Sequence, residues 1–261
     1  MAKEKSGDGI GETIKTVVYA LLIAGVFRTL FFQPFWIPSG SMKDTLLVGD
    51  FLFVNKMAYG YSKYSCPFSL CPIEDRILAR DPKRGDVVVF RHPSNNSDFI
   101  KRLVGLPGDT IQVKEGVLHI NGEAVKLEEQ APFEEIKERQ GPIGNMPQCS
   151  NRPVGEGGTC IKQRFTETFP DGKSHSILNI GTRLYADDTE VFNVPEGHYF
   201  FMGDNRDNSQ DSRFSLLSGG VGYLPEEYLI GRADRIMFSS AGRSLFFFWT
   251  WRPDRFFKAV E

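Results

Sequence analysis

Val117-Leu-His-Ile-Asn-Gly-Glu-Ala-Val-Lys126 decides the fold. Two short runs flank Asn121-Gly122, the dipeptide best suited to the left-handed positions of a two-residue turn, so the stretch reads as a β-hairpin. Working outward, Phe51–Asn55, Asp86–Phe90, Phe99–Val104, Thr110–Val113, Tyr199–Met202 and Ile230–Phe238 are short runs rich in β-branched and aromatic residues. Gly, Pro and Asn separate them, and no helical periodicity emerges past Pro38. Many short strands with such turns predict a mainly β, largely antiparallel fold. Between residues 127 and 190 the character shifts. Glu128–Arg139 is strongly charged and Gly141–Gly158 is rich in Gly, Pro and Asn, which reads as an insertion decorating the sheet rather than part of its core.

The other departure from β character lies at the N-terminus. Ile14–Phe32 is helical in pattern and about long enough to cross a bilayer, although its strictly apolar run, Val17–Phe27, is short and Arg28 interrupts it. A cleaved signal peptide is the competing reading. No small-x-small site follows, however; the chain enters the bulky Phe31-Phe-Gln-Pro-Phe-Trp-Ile37, with Arg28 and Trp36 suited to the interface. The expectation is an uncleaved anchor. Lys3, Lys5 and Lys15 put the N-terminus in the cytoplasm, because the neighbouring acids count little in the positive-inside rule. Leu245–Trp251 is too short for a second span. Its aromatics, followed by Arg252 and Arg255, either dip into the membrane surface or pack on the domain.

Composition narrows the function. The 31 Lys and Arg nearly balance 33 Asp and Glu for a net charge of −2, which argues against a phosphate-driven nucleic-acid binder. The cysteines form two local pairs, Cys66 with Cys71 and Cys149 with Cys160, spaced poorly for zinc. Small-loop disulfides in an oxidising compartment and free buried thiols both remain open.

Three constellations carry chemistry. In Pro38-Ser-Gly-Ser-Met42, Gly40 permits a sharp turn on which a serine hydroxyl and backbone N–H groups converge. In Phe99–Asp109, Lys101 interrupts an apolar strand. A lysine there is usually solvent-facing. To act as a base it must be buried, since at an ordinary pKa only about one amine in 2,500 is neutral at pH 7. In Gly203-Asp-Asn-Arg-Asp-Asn-Ser-Gln-Asp-Ser-Arg213 the polar run is either a solvated or calcium loop, or a buried network orienting a catalytic group. None of His92, His119, His175 or His198 has a distinctive context, and no nucleophile elbow, P-loop or dinucleotide fingerprint is present. Lysine is left as the best base for a serine.

In this order the three segments resemble bacterial type I signal peptidase, from the anchor through Gly231-Arg232-Ala233, the insertion being the least similar part. The resemblance implies a membrane-bound endopeptidase that cleaves signal peptides from exported preproteins after a small-x-small motif through an acyl-enzyme. Ser41 would be the nucleophile and Lys101 the general base. Ser39 and the backbone N–H of Ser41 would form the oxyanion hole. Ser209 would hold the Lys101 amine, supported by Asp211, Arg213, Gly203 and Asp204, and Ile37, Met42, Leu46 and Ile100 would line apolar pockets. It further implies a cytoplasmic tail (1–13), an anchor (14–33), a catalytic β domain (34–126 and 191–261) and an inserted β-rich subdomain (127–190). The protein would be a monomer in the bacterial inner (plasma) membrane, its catalytic domain on the periplasmic side. Partners would be signal peptides and the lipid bilayer, with no nucleic acid, cofactor or metal.

One departure stands out. The family often has Met-Pro or a similar apolar pair where this chain has Lys43-Asp44. Members with two spans exist, whereas this chain shows one. A specialised Ser–Lys peptidase of a secretion or conjugation system is the alternative enzyme. A membrane-tethered β-domain that binds exported proteins is the non-enzyme alternative, disfavoured by the joint presence of Ser41, Lys101 and Ser209.

Overall fold

The computed structural model describes residues 9–66, 72–141, 143–182, 184–242 and 246–261. Helix α1, Gly9–Leu30, buries none of its residues against the rest of the chain. At 22 residues it spans about 33 Å, enough for a bilayer core of about 30 Å, and its exposed Leu, Ile and Val side chains suit that setting.

All the remaining regular elements among the described residues are strands and single 3₁₀ turns. The strands are β1 (Phe32–Trp36), β2 (Asp50–Asn55), β3 (Val87–Arg91), β4 (Asp98–Gly105), β5 (Thr110–Lys114), β6 (Val117–Ile120), β7 (Glu123–Ala124), β8 (Lys126–Ile136), β9 (Thr159–Thr168), β10 (Ser174–Asn179), β11 (Phe192–Asn193), β12 (His198–Met202), β13 (Leu224–Pro225) and β14 (Leu229–Ser239). A seven-stranded sheet runs β1-β2-β14-β3-β4-β12-β13, with a four-stranded sheet β11-β5-β6-β7 and a three-stranded sheet β10-β9-β8 beside it. Ladder pairing is antiparallel throughout. Asn121 and Gly122, both at positive φ, make the turn between β6 and β7, as the hairpin reading requires.

Two differences from the sequence reading have physical causes. The bulky segment after the helix is an edge strand, β1, pairing Phe32 with Asn55 through Trp36 with Phe51. An edge tolerates Pro34, which has no N–H to give to a ladder. The insertion is also more than decoration. β8 is largely exposed, yet Phe169 after β9 joins the core cluster of Val104, Leu118 and Phe200. Leu178 of β10 donates its N–H to the Asp204 carbonyl (2.8 Å), which ties the three-stranded sheet to the polar loop.

Cys149 and Cys160 form a disulfide; the Cys66–Cys71 pair lies outside the described residues because Cys71 does. Of the two readings offered for the C-terminal tail, packing on the domain is the one the structure describes. Arg235 of β14 bridges Ala259, Ser240 just beyond β14 bridges Trp251, and Arg255 pairs with Asp50 of β2 (2.6 Å), while Phe246, Phe248 and Trp249 stay exposed.

Candidate active site

The loop after β1 is closed at its base by Ile37 N–H to the Asp50 carbonyl and Gly49 N–H to the Ile37 carbonyl, both 2.9 Å. Within it, Lys43 N–H to the Gly40 carbonyl and Leu46 N–H to the Met42 carbonyl wind residues 40–46 into tight turns. Gly40 takes part through closeness rather than a left-handed φ: a Cβ there would meet the Lys43 side chain at 3.3 Å. The result is a buried Ser41 hydroxyl on a well-held backbone.

Lys101 sits on β4 between β3 and β12, paired with Val88. Alternation puts it on the same face as Phe99 and Leu103, and its ammonium lies 5.5 Å from the Phe99 ring. It is 5% exposed, so the usual solvent-facing fate of a strand lysine does not apply. Its Nζ is 2.6 Å from Ser41 Oγ. Burial lowers its pKa from 10.5 to about 8, against the pull of Asp211 and Asp204. Each of those carboxylates is itself paired with an arginine.

Asp204 takes a two-pronged salt bridge from the buried Arg102 (2.8 and 2.7 Å) and the Thr45 hydroxyl (2.6 Å). Asp211 takes two bonds from Arg213 (both 2.9 Å) and the Gly203 N–H (3.0 Å). For each acid burial alone would raise the pKa, but the guanidinium outweighs it and the carboxyl ends below its ordinary value. Asp207 accepts from the N–H groups of Ile180 and Gly181. The polar run 203–213 is therefore a buried network, and its carboxylates are committed to internal partners rather than gathered as a calcium loop. Among the described residues no group of three or more His, Cys, Asp or Glu is placed to hold a metal.

Gly203 is indispensable to that network. A Cβ there would meet Ser209 Oγ at 2.3 Å and the Ser41 carbonyl at 2.7 Å, so only glycine lets the two loops touch. Ser209 is brought beside the nucleophile loop, and its buried hydroxyl makes no direct bond to Lys101. Ser39, half-buried, lines with Ser41 a cavity of about 250 Å³. Ile37, Met42 and Leu46 close into one buried cluster against which Ile100 packs, so of the four only Ile100 retains appreciable surface.

Several residues at the site were not singled out from sequence. Asn205 donates its backbone N–H to the Ser41 carbonyl (3.0 Å) and its side-chain amide to the Gly40 carbonyl (2.9 Å), clamping the nucleophile loop. It sat inside the third motif, where its position was a usable signal. Lys43, noted from sequence only as a departure from the family pattern, is buried and bonded to Glu135 (2.5 Å) and Gln140 (2.7 Å) from the insertion. Asp44 faces Ser176 (3.1 Å) and Arg164. A buried set of Glu167, Arg206 and His175 underlies the loop, Arg206 gripping Glu167 at 2.8 and 2.5 Å. A cavity of about 880 Å³ near Phe192, Phe214 and Tyr223 lies away from Ser41 and is lined by Ser212 and Arg213 of the network.

The family described as "Signal peptidase, peptidase S26" matches residues 10–238. Signal peptidase I of Rickettsia typhi is 39% identical over 246 residues, covering 90% of this chain and 83% of that protein. Signal peptidase I of Rickettsia massiliae is 41% identical over 233 residues, covering 85% and 77%. Among solved structures, a signal peptidase I from Enterococcus faecalis V583 is 24% identical, with a TM-score of 0.30, covering 59% of this chain and 97% of its own.

Proposed function

The chain belongs to the signal peptidase family, peptidase S26, and from that premise we propose that it removes signal peptides from exported preproteins by a serine–lysine mechanism. The observation that carries the reading is the 2.6 Å contact between Ser41 Oγ and Lys101 Nζ, both buried. With a pKa of about 8, about one Lys101 amine in ten is neutral at pH 7, several hundred times the fraction of an exposed lysine.

The neutral amine takes the Ser41 proton as the hydroxyl oxygen attacks the scissile carbonyl. The oxyanion that develops is met by the Ser41 N–H and the Ser39 hydroxyl. Lys101 then passes the proton to the leaving amine, which is the new N-terminus of the mature chain. The signal peptide stays esterified to Ser41 until a water, deprotonated by the same lysine, releases it. Ser209, Asp211, Arg213, Gly203 and Asp204 act indirectly, by fixing the loop that holds Ser41 and Lys101 together.

Small side chains on either side of one variable residue would enter between Ile100 and the cluster of Ile37, Met42 and Leu46. Helix α1 would anchor the monomeric enzyme in the bacterial plasma membrane with its β domain on the periplasmic side.

The test is cleavage of a preprotein with an Ala-x-Ala site by wild type, Ser41→Ala and Lys101→Ala. Wild type cuts after the second alanine, and each folded variant loses at least about a thousandfold in kcat. A variant that keeps full activity removes its residue from the mechanism. A wild type that cuts nothing favours the tethered binding domain.

A further inference from the structure

The two neighbours of Ser41 on its C-terminal side diverge. Met42 enters the apolar cluster with Ile37 and Leu46, whereas Lys43 lines the polar cavity of about 250 Å³ with Ser39, Gln140, Lys162 and Asn208. Both lysines are almost wholly buried, at 3% and 1% exposure, and both ammonium groups bond the one carboxylate of Glu135. Two positive charges sharing one negative leave the cavity with an excess of donors and of positive charge, a few ångströms of chain from the nucleophile. Such a wall is unsuited to alanine-sized apolar groups and well suited to a carboxylate.

A peptide bound with its small apolar residues on the Met42 and Ile100 side of Ser41 would present the residues that follow the cut to this cavity, which Ser41 also lines. We propose that the Lys43–Lys162 cavity is a binding site for an acidic side chain within the first three residues of the mature chain, and that Lys43 determines this preference. The inference rests on the signal-peptidase reading of the Ser41 site. Its volume, about 250 Å³, exceeds the roughly 30 Å³ share of one water several-fold and accommodates a Glu or Asp side chain.

The charge count makes the test directional. Peptides carrying Ala-x-Ala are compared with Glu, Gln or Lys at each of the first three positions after the cut, using the full chain in a zwitterionic detergent so that no lipid phosphate competes. Wild type is expected to cleave the best-placed Glu peptide with kcat/KM about tenfold above its Gln counterpart, chiefly through KM, and the Lys peptide below both. Moving Glu to the x position should give no gain. Lys43→Met brings the Glu/Gln ratio towards one, and Glu135→Gln, which unmasks the second ammonium, raises it above wild type. Because each ratio is internal to one variant, a general loss of activity does not mimic the effect. If Lys43→Met fails to fold, Glu135→Gln decides alone. A wild-type ratio of one, a ratio unmoved or lowered in Glu135→Gln, or a preference confined to the x position overturns the proposal. If the Gln peptides are not cut at all, the signal-peptidase reading itself fails and this inference falls with it.

Discussion

Lys101 and Lys43 are two buried lysines of similar pKa within one site, and they do different things. Burial lowers both from 10.5 to about 8. Lys43 has Glu135 at 2.5 Å, and that carboxyl, although burial alone would raise it, is held below its ordinary range by Lys43 and Lys162. Losing the Lys43 proton breaks a charged pair. Lys101 has a neutral hydroxyl as its partner, and the nearby carboxylates of Asp204 and Asp211 are each occupied by an arginine. Losing the Lys101 proton breaks no ion pair and prepares a base. Depth alone therefore does not make a catalytic lysine; the buried amine must also face the nucleophile.

The largest separation should appear on substitution by methionine. Lys101→Met is expected to abolish turnover, by about ten thousandfold, while raising stability at pH 7 by an amount of order 2 kcal/mol, because a depressed lysine pKa opposes folding wherever the unfolded chain holds the proton. In wild type that opposition is fully present below about pH 8 and fades as pH rises towards 10.5, so the stability gain of the variant should shrink over that window in urea titrations. Lys43→Met removes an equally depressed amine but leaves Glu135 with Lys162 alone, so it should gain less stability than Lys101→Met, and its rate on a neutral peptide should fall less than about tenfold. Equal rate losses in the two variants would break the comparison.

A second experiment acts on the carboxylates. Asp211→Asn leaves Arg213 buried with one partner fewer, and about 3 kcal/mol of stability should be lost. Because Asp211 raises the Lys101 pKa, the midpoint of the pH–rate curve should move down in this variant, and an upward shift would show that the network is read with the wrong sign.

The smallest effect is the finest discriminator. In wild type, kcat/KM should climb with pH to a plateau with its midpoint near 8, as Lys101 deprotonates. Lys43→Met should leave that midpoint within about 0.3 of wild type, since Lys43 is not among the groups that set the Lys101 pKa. A larger displacement would mean that the two lysines titrate as one system.

Much of this was legible in the chain because the signals were local. Asn121-Gly122 announces its hairpin through backbone φ alone, and the anchor announces itself through length and hydropathy. The pair Ser41 and Lys101, sixty residues apart, was named through the resemblance of ordered motifs; the contact itself depends on β3–β4 pairing that no short stretch encodes. What escaped notice was non-local in the same sense. Lys43 looked like a polar blemish beside the nucleophile, and Glu135 like one more charge on an exposed strand, until β8 carried one to the other across 92 residues. Phe169 likewise became core only because β9 and β10 deliver it there.

By itself the amino-acid sequence determined the helix before the β domain, the strand-and-turn grammar of the rest and the residue types able to do serine–lysine chemistry, since each follows from side-chain shape, backbone preference or spacing along the chain. Only the tertiary structure decided which of two equally depressed amines faces the Ser41 hydroxyl and which faces a carboxylate. That depends on strand pairing and on the contacts of the loop around Ser41, which exist only once distant segments have come together.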